Sequence, residues 1–275
     1  MMDLGDLTEN QQPLLIFGGS YSNLEATQAL KKWADDNGFS PQQCICTGDI
    51  IAYCGNPVET TDLIYQWGVH CIQGNVEQSL ADKSDDCGCG FESGTVCDIL
   101  SKGWFAFADS AIQQAHRDWF KSIPDSLEFK YANRNIKIVH GAVSNVSRFM
   151  FESQPDRNFL QEFDLCNADI IISGHSGIPF TKKISNKIWH NSGALGMPAN
   201  DGTPRVWFSI VSIDSENQIN FSHHSLDYEF EITQQTMLQN QLNQGYDQAI
   251  SSGLWPSMDV LPEIEKSKQG QALIF

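Results

Sequence analysis

The chain has 275 residues, of which 41% are hydrophobic, so it can build one large domain or two small ones, and extensive disorder is excluded. Its formal net charge of -17 argues against nucleic acid or an anionic membrane as the main partner. Because the first residues lack a signal-peptide pattern and no apolar run is long enough to span a bilayer, we expect a cytoplasmic chain whose eight cysteines are thiols or ligands.

The first part of the chain alternates short apolar runs with amphipathic segments. The apolar runs at 13–19, 44–53 and 69–75 predict buried strands that end in turns. The segments at 23–38 and 60–68 have helical spacing of their apolar residues. This order predicts a parallel α/β arrangement with right-handed crossovers.

The middle of the chain changes in character. Residues 81–98 are polar and rich in Gly and Cys, and they predict an inserted loop before a helix at 111–124. Further strands are predicted at 134–141, 168–175 and 187–193, and an antiparallel pair at 205–214 and 219–226. We expect residues 227–275 to form a tail that packs on the domain.

Several predicted strands end in a glycine beside a polar residue. These pairs are Gly48-Asp49, Gly74-Asn75, His140-Gly141 and Gly174-His175. Ligands of open α/β sheets bind beyond the carboxyl ends of the strands. A set of one carboxylate, one amide oxygen and two imidazoles suits Mn, Fe or Zn.

The order of these pairs resembles the motifs of the calcineurin-like metallophosphoesterases, in particular the small bacterial subgroup. The segments that carry the resemblance are SNLEA (22–26), GDIIAYCGNP (48–57), GNVEQSL (74–80), VHG (139–141), GHSGIPF (174–180) and NSGALGMPANDGTPR (191–205). The resemblance implies an α/β domain over residues 13–226, a four-layer sandwich of two mixed β-sheets flanked by helices. It also implies hydrolysis of a small phosphorylated substrate at a two-metal site.

The resemblance identifies a complete set of ligands for one of the two metals. Asp49 matches the bridging carboxylate, and Asn75, His140 and His175 match the other ligands of the second metal, with Asp49 and His140 also expected in catalysis. The first metal has lost its ligands. The family's first motif, Asp-x-His-x-Asn, reads Gly19-Ser20-Tyr21-Ser22-Asn23, and glycine replaces the second histidine of the fifth motif at position 177. Since all losses fall on one metal, we expect a reduced site with one Mn, Fe or Zn ion per chain.

Three features could rebuild the missing half of the site. Tyr21 could bind Fe(III) as a phenolate or direct its hydroxyl at a phosphate, and Gly19 and Ser20 could offer backbone N–H groups to an anion. With Asn23, these residues form the expected phosphate-binding segment. Glu77 is a candidate catalytic acid or ligand, although an acidic residue is also common at a helix N-terminus.

The insertion adds a group of cysteines. Cys87, Cys89 and Cys97 lie close in sequence, and Cys71 could supply a fourth sulfur if the loop folds back. The group either binds a second metal or an iron–sulfur cluster or consists of reduced thiols in a Gly-rich loop, because its spacing is not that of a zinc knuckle.

Two hypotheses for function follow. The first is a metal-dependent phosphoesterase that hydrolyses a small phosphomonoester, a nucleotide or a phosphodiester at a reduced site. The alternative is a non-catalytic ligand-binding or metal- or redox-sensing protein on the same scaffold. No nucleic-acid or membrane partner is expected, and the oligomeric state stays open.

Overall fold

Two mixed β-sheets form the centre of the molecule. The computed structural model describes residues 1–7 and 12–275. The strands are β1 (Met2–Asp6), β2 (Leu14–Phe17), β3 (Cys44–Cys46), β4 (His70–Cys71), β5 (Ser126–Tyr131), β6 (Arg134–Val139), β7 (Ile170–Ser173), β8 (Phe180–Ile184), β9 (Lys187–Asn191), β10 (Val206–Ile213) and β11 (Ile219–Leu226). The helices are α1 (Leu24–Asp36), α2 (Pro57–Trp67), α3 (Asn75–Asp82), α4 (Val96–Ala111), α5 (Gln114–Ser122), α6 (Asp156–Phe163), α7 (Phe230–Gln239), α8 (Tyr246–Ser252) and α9 (Glu263–Ser267).

The two sheets share a layout in which parallel strands lie beside antiparallel ones. One sheet has the strand order β1-β5-β6-β7-β9-β8, and the other has the order β11-β10-β2-β3-β4. The pairs β6–β7, β7–β9, β2–β3 and β3–β4 are parallel. Their carboxyl ends therefore lie at one edge of the molecule, where their turns can meet.

Apolar side chains cover both faces of the strands. Strands β2, β3 and β7 read as nearly continuous Ile, Leu, Cys and Phe, which is typical of strands buried on both faces. One cluster between the sheets includes Ile16 and Ile45 from one sheet and Ile138 and Ile172 from the other. Further hydrophobic clusters pack the outer faces of the two sheets against the helices. The chain thus has two mixed sheets flanked by helices, as the resemblance implied.

The predicted strands and helices correspond to observed ones, with shorter strands at 44–46 and 70–71. The antiparallel pair is present, with Val206 opposite Leu226. The predicted loop at 81–98 is shorter than expected, because α3 extends into it and α4 begins at Val96. The pattern analysis missed β1, β5 and β8, whose sequences mix charged and polar residues with apolar ones.

The last fifty residues pack against the two-sheet body. Thr233 on α7 donates a hydrogen bond to Asn23, the N-cap residue of α1, at 3.0 Å. The backbone N–H of Trp255 donates to the Asn200 side chain at 2.8 Å. None of the helices in the described ranges combines the length and apolar character needed to cross a membrane.

Candidate metal site

Four side chains from separate turns converge at the carboxyl ends of the strands. Asp49 follows β3, Asn75 begins α3, His140 directly follows β6, and His175 lies two residues beyond β7. All four side chains are buried or nearly so. Across the ranges that the structure describes, Asp49, His140 and His175 are the one group of three or more Asp, Glu, His or Cys ligand atoms within 4.8 Å of one another.

The ligand atoms surround the Nε2 atom of His140. This atom lies 3.2 Å from Asp49 Oδ2, 3.1 Å from Asn75 Oδ1 and 3.1 Å from His175 Nδ1. The separation between His175 Nδ1 and Asp49 Oδ2 is 4.0 Å. Ligand atoms bound tetrahedrally to a metal at its usual bond lengths lie roughly 3.4 Å apart. The four atoms therefore have the spacing of a compact coordination sphere.

Hydrogen bonds outside this group orient two of the four side chains. His140 Nδ1 lies 2.7 Å from the carbonyl oxygen of Thr47, which can only accept, so Nδ1 carries the proton and Nε2 offers its lone pair. The Nδ2 group of Asn75 donates to the carbonyl oxygen of Cys87 at 2.9 Å and to the Cys89 sulfur at 3.2 Å. The oxygen of Asn75 consequently faces His140.

This arrangement places electron-pair donors against one another. When His140 is neutral, its Nε2 atom faces a carboxylate oxygen, an amide oxygen and an imidazole nitrogen, which is unfavourable unless a cation lies among them. A proton on His140 can bond only part of the set, whereas a metal ion can bond all four atoms. The donor set of two oxygens and two nitrogens fits Mn, Fe or Zn.

The charges within the group are strongly coupled. Burial alone would raise the pKa of Asp49, but attraction to His140 lowers it below its ordinary value. Burial opposes a charge on His140, yet the neighbouring Asp49 carboxylate raises the pKa of His140. Burial and repulsion from His140 lower the pKa of His175 to about 3, so His175 is neutral and its nitrogen is free to act as a ligand.

Two of the four residues have unusual backbone geometry. Asp49 has φ of 55° and His175 has φ of 53°, both in the left-handed region that non-glycine residues rarely adopt. Such strain is common at binding sites, where the surrounding structure holds it in place. Gly48 makes the Asp49 turn possible, because a Cβ atom at Gly48 would overlap the backbone of Gly74.

Glu77 lies close to this group but its oxygens are already engaged. Its carboxylate accepts hydrogen bonds from the backbone N–H groups of Asp49 at 2.7 Å, Gly74 at 2.9 Å and Ile51 at 3.2 Å. Burial and repulsion from Asp49 raise the pKa of Glu77 to about 7. These contacts join the turn after β3 to the turn before α3, which favours a positioning role over catalysis.

The segment 19–23 is packed against the protein rather than open to an anion. The backbone N–H groups of Gly19 and Tyr21 donate to the carbonyls of Gly48 and Asp49. The Asn23 side chain caps α1 and donates to the carbonyl of Gly196 and the hydroxyl of Tyr228. Ser20 is buried, with no hydrogen-bond partner for its hydroxyl among the described residues. Of the Gly19 and Ser20 amides expected to form an anion nest, the Gly19 amide is therefore already engaged within the protein.

Aromatic rings fill the space where the first metal's ligands would project. The ring of Tyr21 packs over Gly19, where a Cβ atom would overlap it, so an aspartate has no room at this position. A Cβ atom at Gly177 would lie 3.3 Å from Cζ2 of Trp255. Gly177 also has φ of 70°, which disfavours histidine there. The missing half of the site is therefore packed with side chains.

A small, partly open cavity lies beside His175. Its volume is 60 Å³, and its walls include Tyr21, Phe149, Tyr246 and Trp255. Among the described residues that line it, none is Lys or Arg. Burial is the first cause that raises the pKa values of Tyr21 and Tyr246 well above the ordinary value, so both phenols are neutral.

The four cysteines proposed as a second site do not form one ligand group. Cys71 lies on β4 opposite Cys46 of β3, and Cys97 lies in the first turn of α4. Cys87 and Cys89 both contact Asn75, Cys87 through its backbone carbonyl and Cys89 through its sulfur. The expectation of a joint metal or iron–sulfur site is wrong, because among the described residues no three of the sulfurs of Cys71, Cys87, Cys89 and Cys97 lie within 4.8 Å of one another. All eight cysteines are free.

The sequence analysis missed the contributions of Thr47, Cys89 and Trp255 to this site. Thr47 contributes its backbone carbonyl, so the identity of its side chain does not indicate this role in the sequence. Cys89 had been noted for its sulfur spacing, whereas its contact is with an amide. Trp255 comes from the tail, in a segment with no recognisable motif.

The fold and the site together define a phosphoesterase-type metallohydrolase scaffold, and comparison with known proteins agrees. The model of the calcineurin-like phosphoesterase superfamily domain matches residues 21–216. The chain belongs to the calcineurin-like phosphoesterase superfamily. Among curated proteins, no significant sequence match was found.

Two solved structures illustrate the shared fold. A metallophosphoesterase from Sphaerobacter thermophilus superposes with a TM-score of 0.67 at 19% identity, covering 88% of this chain and 100% of its own. A hypothetical protein from Pyrococcus horikoshii OT3 superposes with a TM-score of 0.72 at 16% identity, covering 88% of this chain and 98% of its own. At these identities the likeness concerns the fold.

Proposed function

We propose that this protein is a metal-dependent phosphoesterase that holds one metal ion per chain and hydrolyses a small phosphomonoester, nucleotide or phosphodiester. The observation that supports the proposal most directly is the convergence of Asp49, Asn75, His140 and His175 on one point. The donor set suits Mn, Fe or Zn, and the family provides the reaction class. A bound ion supplies Lewis-acid polarisation of a phosphoryl oxygen.

The chain's own residues have separate tasks in this proposal. Asp49 contributes the single ligand charge, and neutral His140 and His175 contribute nitrogen lone pairs. Thr47 holds the proton of His140 on the nitrogen that points away from the site. The rings around the cavity exclude bulk water, which strengthens electrostatic interactions with a bound phosphoryl group.

The experiment combines metal analysis with activity. The purified protein should contain about one Mn, Fe or Zn ion per chain. It should release inorganic phosphate from at least one ester in a panel that includes methyl phosphate, glycerol phosphate and p-nitrophenyl phosphate. Asp49→Ala and His140→Ala should abolish both metal content and turnover.

His116→Ala is the matched control, because His116 pairs with Asp62 outside the site. This variant should keep the ion and the activity. A loaded wild-type protein that hydrolyses nothing in the panel would contradict the proposal.

A second function is favoured by the filled half of the site. With Tyr21 and Trp255 packed where the first metal's ligands would project, and with no Lys or Arg among the described residues of the cavity wall, the chain could bind a metal and a small ligand without turning it over. It would then be a ligand-binding or metal- or redox-sensing protein on the phosphoesterase scaffold. Retained phosphate binding without hydrolysis would support this alternative.

A further inference from the structure

Trp255 is the point at which the C-terminal segment reaches the candidate metal site. Its indole N–H donates to the carbonyl oxygen of Pro198 at 2.7 Å, and its backbone N–H donates to Asn200 Oδ1 at 2.8 Å. These two bonds hold the six-membered ring against Gly177, two residues from His175. The partly buried ring is therefore fixed at the wall of the cavity.

The same segment is held at a second point by hydrogen bonds to the inserted part of the chain. The Asp259 carboxylate accepts hydrogen bonds from the backbone N–H of Val96 at 2.9 Å and of Cys97 at 3.4 Å, at the start of α4. Between the two anchors, Pro256 and Ser257 also line the cavity. The segment thus runs along the cavity from the loop after β9 to the start of α4.

The volume of the cavity limits the size of the ligands that can reach the site. Cavities that hold drug-sized ligands have volumes of about 300–1,000 Å³. The cavity beside His175 has 60 Å³, room for only a few water molecules. A tetrahedral phosphoryl group with a small substituent is of comparable size, whereas an aromatic or nucleoside substituent exceeds this volume.

We propose that Trp255 is the specificity-determining residue of the site and that it restricts the ligands to phosphoryl compounds with small substituents. The inference rests on the proposed function, because it takes a phosphoryl group as the ligand. It narrows the substrate class from phosphoesters in general to small alkyl phosphates. Trp255 acts by excluding ligands with bulky substituents and takes no part in the hydrolysis.

The test measures binding of two non-hydrolysable probes to the Mn²⁺-loaded protein by calorimetry. Methylphosphonate represents a small substituent and phenylphosphonate a bulky one. We expect wild type to bind methylphosphonate and to bind phenylphosphonate about tenfold or more weakly. Trp255→Ala should remove this difference by tightening phenylphosphonate binding, with little change for methylphosphonate.

Two further variants control for effects on folding. Trp255→Leu keeps an apolar side chain and should also admit phenylphosphonate, so the proposal stays testable if the alanine variant is unstable. Leu254→Ala changes the neighbouring, largely exposed residue on the same segment and should retain the wild-type preference.

The outcomes separate the two proposals. Equal phenylphosphonate affinity in wild type and both Trp255 variants would overturn the role of Trp255 while leaving phosphoester hydrolysis intact. If methylphosphonate binds with the expected discrimination but no ester is hydrolysed, the hydrolytic function fails and the role of Trp255 stands. If no phosphonate binds to any loaded variant, both proposals fail.

Discussion

The Oδ1 atom of Asn75 lies 3.1 Å from the Nε2 atom of His140, although the two residues are 65 positions apart in the chain. When His140 is neutral and its proton is on Nδ1, two acceptor atoms face each other at this distance, and a bound cation would relieve their repulsion. We therefore expect Asn75→Ala to weaken Mn²⁺ binding by about tenfold or more, measured by competition with a chelator. Asn220→Ala, at an exposed asparagine on β11, is the control. Unchanged affinity in Asn75→Ala would remove Asn75 from the ligand set.

Cys89 should affect the ion indirectly, through Asn75. Its sulfur accepts a hydrogen bond from Asn75 Nδ2, but Cys87 supplies a second acceptor to the same group. Cys89→Ala should therefore reduce Mn²⁺ affinity by less than Asn75→Ala does, up to about tenfold. The same chelator competition measures it, with Cys166→Ala as the control outside the site. A loss as large as that of Asn75→Ala would instead indicate that Cys89 binds the ion directly.

Substitutions of Glu77 can distinguish a positioning role from a catalytic role. Glu77→Ala leaves three buried backbone N–H groups without their acceptor, and we expect a loss of about 3 kcal/mol or more in the free energy of unfolding. Glu77→Gln keeps one acceptor oxygen and should retain most of the stability, metal content and activity. Urea denaturation and phosphate release measure these effects. Full metal content with no turnover in Glu77→Gln would assign Glu77 to proton transfer.

The pH dependence of stability should reflect a buried histidine away from the metal site. His223 contacts Thr181 and stacks on His190, and burial, together with the neighbouring His224, lowers its pKa to about 4. Since the unfolded chain binds this proton near pH 6.5 and the folded chain near pH 4, stability falls as the pH decreases between these values.

Replacement of His223 should make stability less dependent on pH. We expect His223→Gln to reduce the slope of unfolding free energy against pH by up to about 1.4 kcal/mol per unit between pH 4 and 6.5. Urea denaturation at a series of pH values, under the same metal conditions for both proteins, provides the measurement. His70→Gln, at a half-exposed position on β4, is the comparison. Parallel curves for His223→Gln and wild type would contradict this expectation.

The sequence by itself predicted an α/β class from its periodicity and four metal-type residues from their turns, and its motifs implied the two-sheet fold through their resemblance to a known family. Asp49, Asn75, His140 and His175 each follow an apolar strand and a sharp turn, so local pattern and strand order suffice to bring them to one edge. The sequence also identified the loss of the first metal's ligands, because each position could be compared with a motif.

Only the tertiary structure decided what surrounds these residues. The three backbone amides on Glu77, the separation of Cys71 and Cys97 from Cys89, and the position of Trp255 over Gly177 depend on contacts between distant segments. Such contacts follow from packing and buried hydrogen bonding over the whole molecule, which local periodicity does not encode. The candidate metal ligands can therefore be recognised from local sequence, whereas the packing of the tail beside them depends on contacts between distant segments.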